Sequence, residues 1–147
     1  MGSLYSVYLH VVFSTKKRVN VLTDDVRDTV FNLFKSVASK YEASVLECNG
    51  MEDHVHLLIK VKLNINISDL IKEMKRLSSY CINRDNGYPY FYWQHHYAVF
   101  SVSETNCNKV INYIKNQQAH HKNQSFINEM EWISRKCKES LDDDFYK

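Results

Sequence analysis

Residues 43–62 read ASVLECNGMEDHVHLLIKVK, and the fold turns on how this stretch divides. Residues 43–49 carry strand-favouring side chains, and Gly50-Met51-Glu52-Asp53 supplies a turn. Residues 54–62, HVHLLIKVK, then predict a second strand that pairs back on the first as a hairpin. Upstream, residues 4–14, LYSVYLHVVFS, alternate with period two and predict another strand, followed by the basic run Thr15-Lys16-Lys17-Arg18. Between that strand and the hairpin, Thr23 stands as an N-cap with Asp24 and Asp25 at the positive end of a helix. Val26, Val30, Leu33, Phe34, Val37 and Ala38 recur at helical spacing, so a helix is expected over 24–41.

Beyond the hairpin, Ser68 is expected to cap a helix over 68–84 with the apolar stripe Ile67, Leu70, Ile71, Met74, Leu77 and Cys81. The breaker run Asn86-Gly87-Tyr88-Pro89 ends it. Residues 92–102, YWQHHYAVFSV, predict a fourth strand, and residues 104–121 a helix with Cys107, Val110, Ile111 and Ile114 inward. The order β-α-β-β-α-β places the chain in the α+β class: a ferredoxin-like split β-α-β, with a four-stranded antiparallel sheet, helices on one face and a C-terminal tyrosine-bearing helix. Residues 1–125 are expected to form one domain, and residues 126–147 a helical, acidic extension.

Composition narrows the class without naming a function. The 147 residues are 44% hydrophobic and 24% charged, which argues against disorder. Four cysteines (Cys48, Cys81, Cys107, Cys137) never fall at C-x-x-C spacing, so neither a zinc ribbon nor a dithiol redox site is indicated. No basic leader precedes the first apolar stretch, and no apolar run is long enough to span a bilayer. A reduced, cytoplasmic protein with no membrane association is expected. The net charge of +2 is unevenly spread: residues 126–147 hold six acids and four bases, leaving a weakly basic body compatible with a nucleic-acid partner. Ten tyrosines and seven histidines stand out.

Two groups of these could do chemistry. His54 and His56, two apart on a strand, point to one face and could ligate a divalent ion, or be hydrogen-bonded strand histidines. Tyr113 and Gln117, at i and i+4 on the last long helix, share a face with His120, whereas His121 turns toward the apolar side. Taken alone, the pair is better read as Tyr113 packed at the edge of the core with Gln117 in water.

Together these segments carry a resemblance. Glu52-Asp53-His54-Val55-His56-Leu57-Leu58 resembles the H-U-H strand, and Tyr113-Ile114-Lys115-Asn116-Gln117 the tyrosine helix, of single-tyrosine transposases in the H-U-H endonuclease superfamily. These are the small enzymes of insertion sequences and the REP-associated tyrosine transposases. His10 to Lys16, Trp93-Gln94 and Phe100 to Ser103 add support, and the likeness runs over about residues 5–125.

The resemblance implies a transposase that cuts and transfers single-stranded DNA at hairpin ends. It implies Tyr113 as nucleophile, His54, His56 and Gln117 as ligands of Mg²⁺ or Mn²⁺, and His120 as a possible additional ligand. It also implies a homodimer whose active sites are completed in trans. Lys16, Lys17, Arg18, Lys72, Lys75, Arg76 and Arg84 are candidates for phosphate contacts. Tyr88, Tyr90, Tyr92 and Trp93 are candidates for base stacking. Two other classes fit the same residues: a ferredoxin-like nucleic-acid-binding protein without catalysis, and a small metal-dependent hydrolase.

Overall fold

Among the described residues, four strands and five α-helices follow one another in the order the hydrophobic pattern predicts. The computed structural model describes residues 2–85, 87–88, 90–121, 124–137 and 145. Strand β1 (Val7–Ser14) leads through a 3₁₀ turn (Lys16–Arg18) to α1 (Asp24–Lys40). The hairpin is β2 (Ser44–Gly50) and β3 (His54–Val61); α2 (Ile67–Asp85) and β4 (Ala98–Val102) follow. The chain then runs through α3 (Cys107–Lys115), α4 (Gln117–His120) and α5 (Phe126–Cys137). The sheet is antiparallel in the order β2-β3-β1-β4, the topology of a split β-α-β.

Alternation along the strands assigns each residue to a face. On one face Val11, Phe13, Val55, Leu57 and Ile59 pack against Val30, Phe34 and Val37 of α1 and Leu70, Ile71 and Met74 of α2. The other face carries two smaller clusters. Tyr8 and Leu58 pack with Cys107 and Ile114 of α3, and Val12 and Ala98 pack with Phe126, Met130 and Ile133 of α5. The register pairs Ser14 with His54, Val12 with His56 and His10 with Leu58, which gathers the histidines on this second face.

Four expectations shift. Helix α2 begins at Ile67, and its cap is Asn66, whose Oδ1 accepts from the Asp69 N–H at 3.1 Å; Ser68 instead meets the Tyr97 hydroxyl at 2.8 Å. The fourth strand starts only at Ala98. Before it, the Lys75 ammonium donates to the Gln94 and His96 carbonyls at 2.8 and 3.1 Å, and the Trp93 indole donates to Ser78 Oγ at 2.8 Å, so this stretch is held by α2. The helix expected over 104–121 is broken: a 3₁₀ turn (Glu104–Asn106) leads into α3, and Asn116 separates α3 from α4. Thr23 precedes α1, but its hydroxyl makes no cap hydrogen bond.

Cys48, Cys81 and Cys107 are not disulfide-bonded. Among the described residues no helix is long and apolar enough to cross a membrane. The acidic run Asp142, Asp143 and Asp144 lies outside the described residues.

Candidate active site

His54 opens β3 directly after the turn, and His56 follows on the same face; both side chains are wholly buried. The turn is tight at Gly50, where a Cβ would sit 2.1 Å from the His54 carbonyl oxygen. Each imidazole has its rear nitrogen held. His54 Nδ1 donates to Asp53 Oδ1 at 2.7 Å, and His56 Nδ1 lies 2.9 Å from Nε2 of the buried His10. Both Nε2 atoms therefore face the same interior point.

Helices α3 and α4 bring the next groups there. At the break after α3, Asn49 of β2 donates to the terminal carbonyls of Ile114 and Lys115, each at 3.0 Å, filling acceptors that a helix end leaves open. Gln118 returns hydrogen bonds to Asn49 Oδ1 and the Gly50 carbonyl, both at 2.9 Å. This clamp seats α4 on the hairpin and sets the buried Gln117 with its Oε1 3.3 Å from His54 Nε2.

The centre of the cluster is Glu129 of α5, fully buried. Its Oε1 lies 3.0 Å from His56 Nε2, 3.1 Å from His121 Nε2 and 3.4 Å from His54 Nε2. Its Oε2 accepts from Gln117 Nε2 at 3.2 Å and from the Tyr113 hydroxyl. Burial pushes this carboxyl up, but hydrogen bonds from His121, His54 and His56 outweigh it and hold the group well below the usual carboxylate range. Burial lowers His54 too, yet its bonds to Asp53 and Glu129 prevail and carry it to about 9. Burial lowers His56, and it takes His10 to about 3, helped by the neighbouring His56. Tyr113 is raised above the ordinary phenol range by burial and then by the charge of Glu129. A hollow of about 260 Å³, lined by His10, Lys109, Tyr113 and Trp132 among others, opens beside the phenol.

His54, His121 and Glu129 offer ligand atoms within 4.8 Å of one another, close enough to share one metal ion. The donor set fits such an ion. Imidazole nitrogens mixed with carboxylate and amide oxygens suit a hard to borderline divalent cation. Imidazoles with their second nitrogen anchored, as Asp53 anchors His54, are the usual form of metal-binding histidines.

The structure thus brings together His54, His56, Tyr113 and Gln117. His120 is exposed, its ring 4.8 Å from that of Tyr113, while His121 turns inward to Glu129. A 100° step per residue already carries His121 to the inner side, between the buried Ile114 and Gln117, where it meets Glu129. Sequence reasoning missed Glu129, His121 and His10. The available signal was local: Glu129 falls on the inner side of α5 with Phe126, Met130 and Ile133, where an unpaired acid is costly.

The basic candidates divide. Lys16 and Lys17 sit in the turn after β1, beyond the His54 end of the sheet. Lys72, Lys75 and Arg76 rise from α2, on the sheet face opposite the histidines. Arg76 is paired with Glu73 and Arg84 with Asp85, both at the surface, and Lys75 is drawn down to about 8 by burial.

The sequence and the fold match one class of protein. A family model described as "Transposase IS200 like" matches residues 3–117. The chain belongs to this family of IS200-like transposases, enzymes that process DNA. The ISDra2 transposase TnpA of Deinococcus radiodurans is 26% identical over 122 residues, covering 79% of this chain and 87% of that protein. The transposase for insertion sequence element IS200 of Salmonella typhimurium is 25% identical over 114 residues, 74% of each chain. Among solved structures, one of a transposase from Deinococcus radiodurans superposes with a TM-score of 0.61 at 27% identity, over 80% of this chain and 95% of that one. A REP-associated tyrosine transposase bound to a REP hairpin shares the fold, with a TM-score of 0.61 at 13% identity, over 82% and 74%. His121 and Glu129 lie beyond the residues that the family model matches.

Proposed function

We propose that this transposase cuts and rejoins single-stranded DNA at hairpin ends through a 5′-phosphotyrosine on Tyr113, with Mg²⁺ or Mn²⁺ held by His54, His56 and Gln117. The observation that carries this reading is the convergence of these four side chains on the single buried carboxylate of Glu129. When bound, the ion supplies Lewis-acid polarisation of the scissile phosphate. Tyr113 Oη forms the new bond to phosphorus, the bond from phosphorus to the 3′-oxygen breaks, and the leaving oxygen takes a proton from water to become a 3′-hydroxyl. Glu129 Oε2 already accepts the Tyr113 O–H, so it orients the phenol and is the first atom its proton can pass to once the imidazoles that hold the carboxylate charged take another partner. With the carboxylate charged beside it, the phenol stays protonated at rest, which keeps the nucleophile quiet until substrate arrives. One phosphodiester is exchanged for another, so attack by the 3′-hydroxyl of a second strand restores Tyr113 and joins the strands without a nucleotide fuel.

Lys16, Lys17 and Arg18 neutralise phosphates near the site, and Lys72, Lys75, Arg76 and Arg84 those of the flanking hairpin. Residues 1–125 form the transposase-like domain, and residues 126–147 an extension that closes the site through Glu129. The protein acts in the cytoplasm as a homodimer, with α3 exchanged so that each site is completed in trans. Within one chain α3 and α4 already reach the histidines, so completion in cis is the second reading. Mixing the Tyr113→Phe and His54→Ala variants separates the two: activity regained on mixing means exchange, and none means completion in cis.

The deciding experiment incubates the protein with single-stranded hairpin oligonucleotides from its flanking DNA and Mn²⁺, then looks for a protein–DNA band on a denaturing gel. The wild type gives the band and Tyr113→Phe does not, while retaining DNA binding. A band that survives Tyr113→Phe overturns the nucleophile. Cleavage without any band means a hydrolase, and binding without cleavage means a binding module.

A further inference from the structure

A hollow of about 660 Å³ lies outside the histidine cluster, between the turn after β1 and the stretch before β4. Val21 and Phe91, both buried, line it, and the exposed rings of Tyr88, Tyr90 and Tyr92 stand around it. Lys16 and Lys17 also line it, with no acid among the lining residues. Lys16 Nζ lies 5.8 Å from the centre of the Tyr92 ring. Apolar rings beside unopposed cations suit a planar, aromatic, negatively charged ligand, which is the chemistry of a nucleotide.

Two features tie the hollow to the site. Thr15, at its edge, donates its backbone N–H to the Asp53 carbonyl at 2.8 Å, and Asp53 holds His54. Tyr92 also walls a second hollow of about 380 Å³, lined in part by Lys72 and Gln94. The Nε2 of Gln94, itself buried, has no hydrogen-bond partner among the described residues. A buried donor without an acceptor costs stability unless a ligand supplies one.

We propose that Tyr92 divides a track for unpaired nucleotides. One nucleobase stacks in the Lys16–Tyr90 hollow with its phosphate on Lys16 and Lys17. A neighbouring nucleotide presents an acceptor to Gln94 Nε2. The track rests on the reading that the chain handles single-stranded DNA, and it assigns to that reading a base-holding site beside the phosphodiester cut.

The test uses the full chain as Tyr113→Phe, so that only binding is read. A fluorescently labelled hairpin oligonucleotide with a single-stranded tail is scanned with one abasic site at a time, and Kd is measured by anisotropy. One tail position should lose about 10-fold when abasic, the weight of a base–aromatic stack. Adding Tyr90→Ser and Tyr92→Ser should remove that position's penalty while leaving penalties elsewhere unchanged. Lys16→Gln with Lys17→Gln should flatten the slope of log K against log salt by about 0.7, the weight of the one phosphate no longer neutralised. Gln94→Leu should raise Kd for the intact tail and remove the penalty at a neighbouring position. A uniform abasic profile, or a penalty that persists in the tyrosine variants, overturns the track while leaving the covalent reaction standing. Failure of any single strand to bind overturns both.

Discussion

Along β3, Val55, Leu57 and Ile59 face α1 and α2, while His54, His56 and Leu58 face α3, α4 and α5. The two faces are cut from the same eight residues. The first is a continuous apolar core in which Phe13, Phe34 and Trp93 meet edge to face or tilted, with ring centres 4.9–6.4 Å apart. The second is split into two small apolar clusters with a polar knot between them. Burying three imidazoles, a carboxylate and an amide is sustainable only because each finds a partner there, and because the first face supplies stability independently. The sheet therefore separates the job of staying folded from the job of reacting.

This division can be tested, beginning with the largest effect. His54→Ala with His56→Ala should lower adduct formation at least about 1000-fold and abolish Mn²⁺ binding in a calorimeter, with the circular dichroism of the fold retained. Unchanged metal affinity would remove the proposed centre. Next, Phe34→Ala should cost about 3–5 kcal/mol in urea unfolding. Loss of activity in that variant should track loss of folded protein and nothing else; selective loss with stability intact would break the separation. Glu129→Gln keeps the shape of the central group but removes its charge, and should slow adduct formation about 100-fold, a typical share for a positioned base.

The smallest effect is expected at Lys75, on the stable side. Lys75→Met removes the donors to the Gln94 and His96 carbonyls and should cost about 1 kcal/mol. Its ammonium falls from an ordinary 10.5 to about 8 in the folded chain, so the unfolded chain binds more protons between those values. Wild-type stability minus that of Lys75→Met should therefore rise as pH climbs from about 8 to 10.5. A flat difference would show that the carbonyls hold the ammonium charged.

What was legible in the sequence follows the same divide. Period-two alternation put His54 and His56 on one face, and helical spacing put Tyr113 near Gln117, because both signals are local. The extended look of residues 92–97 misled because Lys75 and Ser78 of α2, far along the chain, decide where that backbone goes. The break between α3 and α4 was not foreseen because nothing in Asn116 itself announces it; Asn49, across the hairpin, stabilises it. Glu129 escaped notice for the same reason at greater range. It meets His56 across 73 positions, and only the return of α5 to the sheet makes it central.

Gly50 leaves less than the room of one methyl group beneath the first histidine. Any other residue there pushes on the main chain of His54 itself, so even a small side chain must shift the backbone that carries the first histidine. A substitution at this position should therefore lower adduct formation even with both histidines in place.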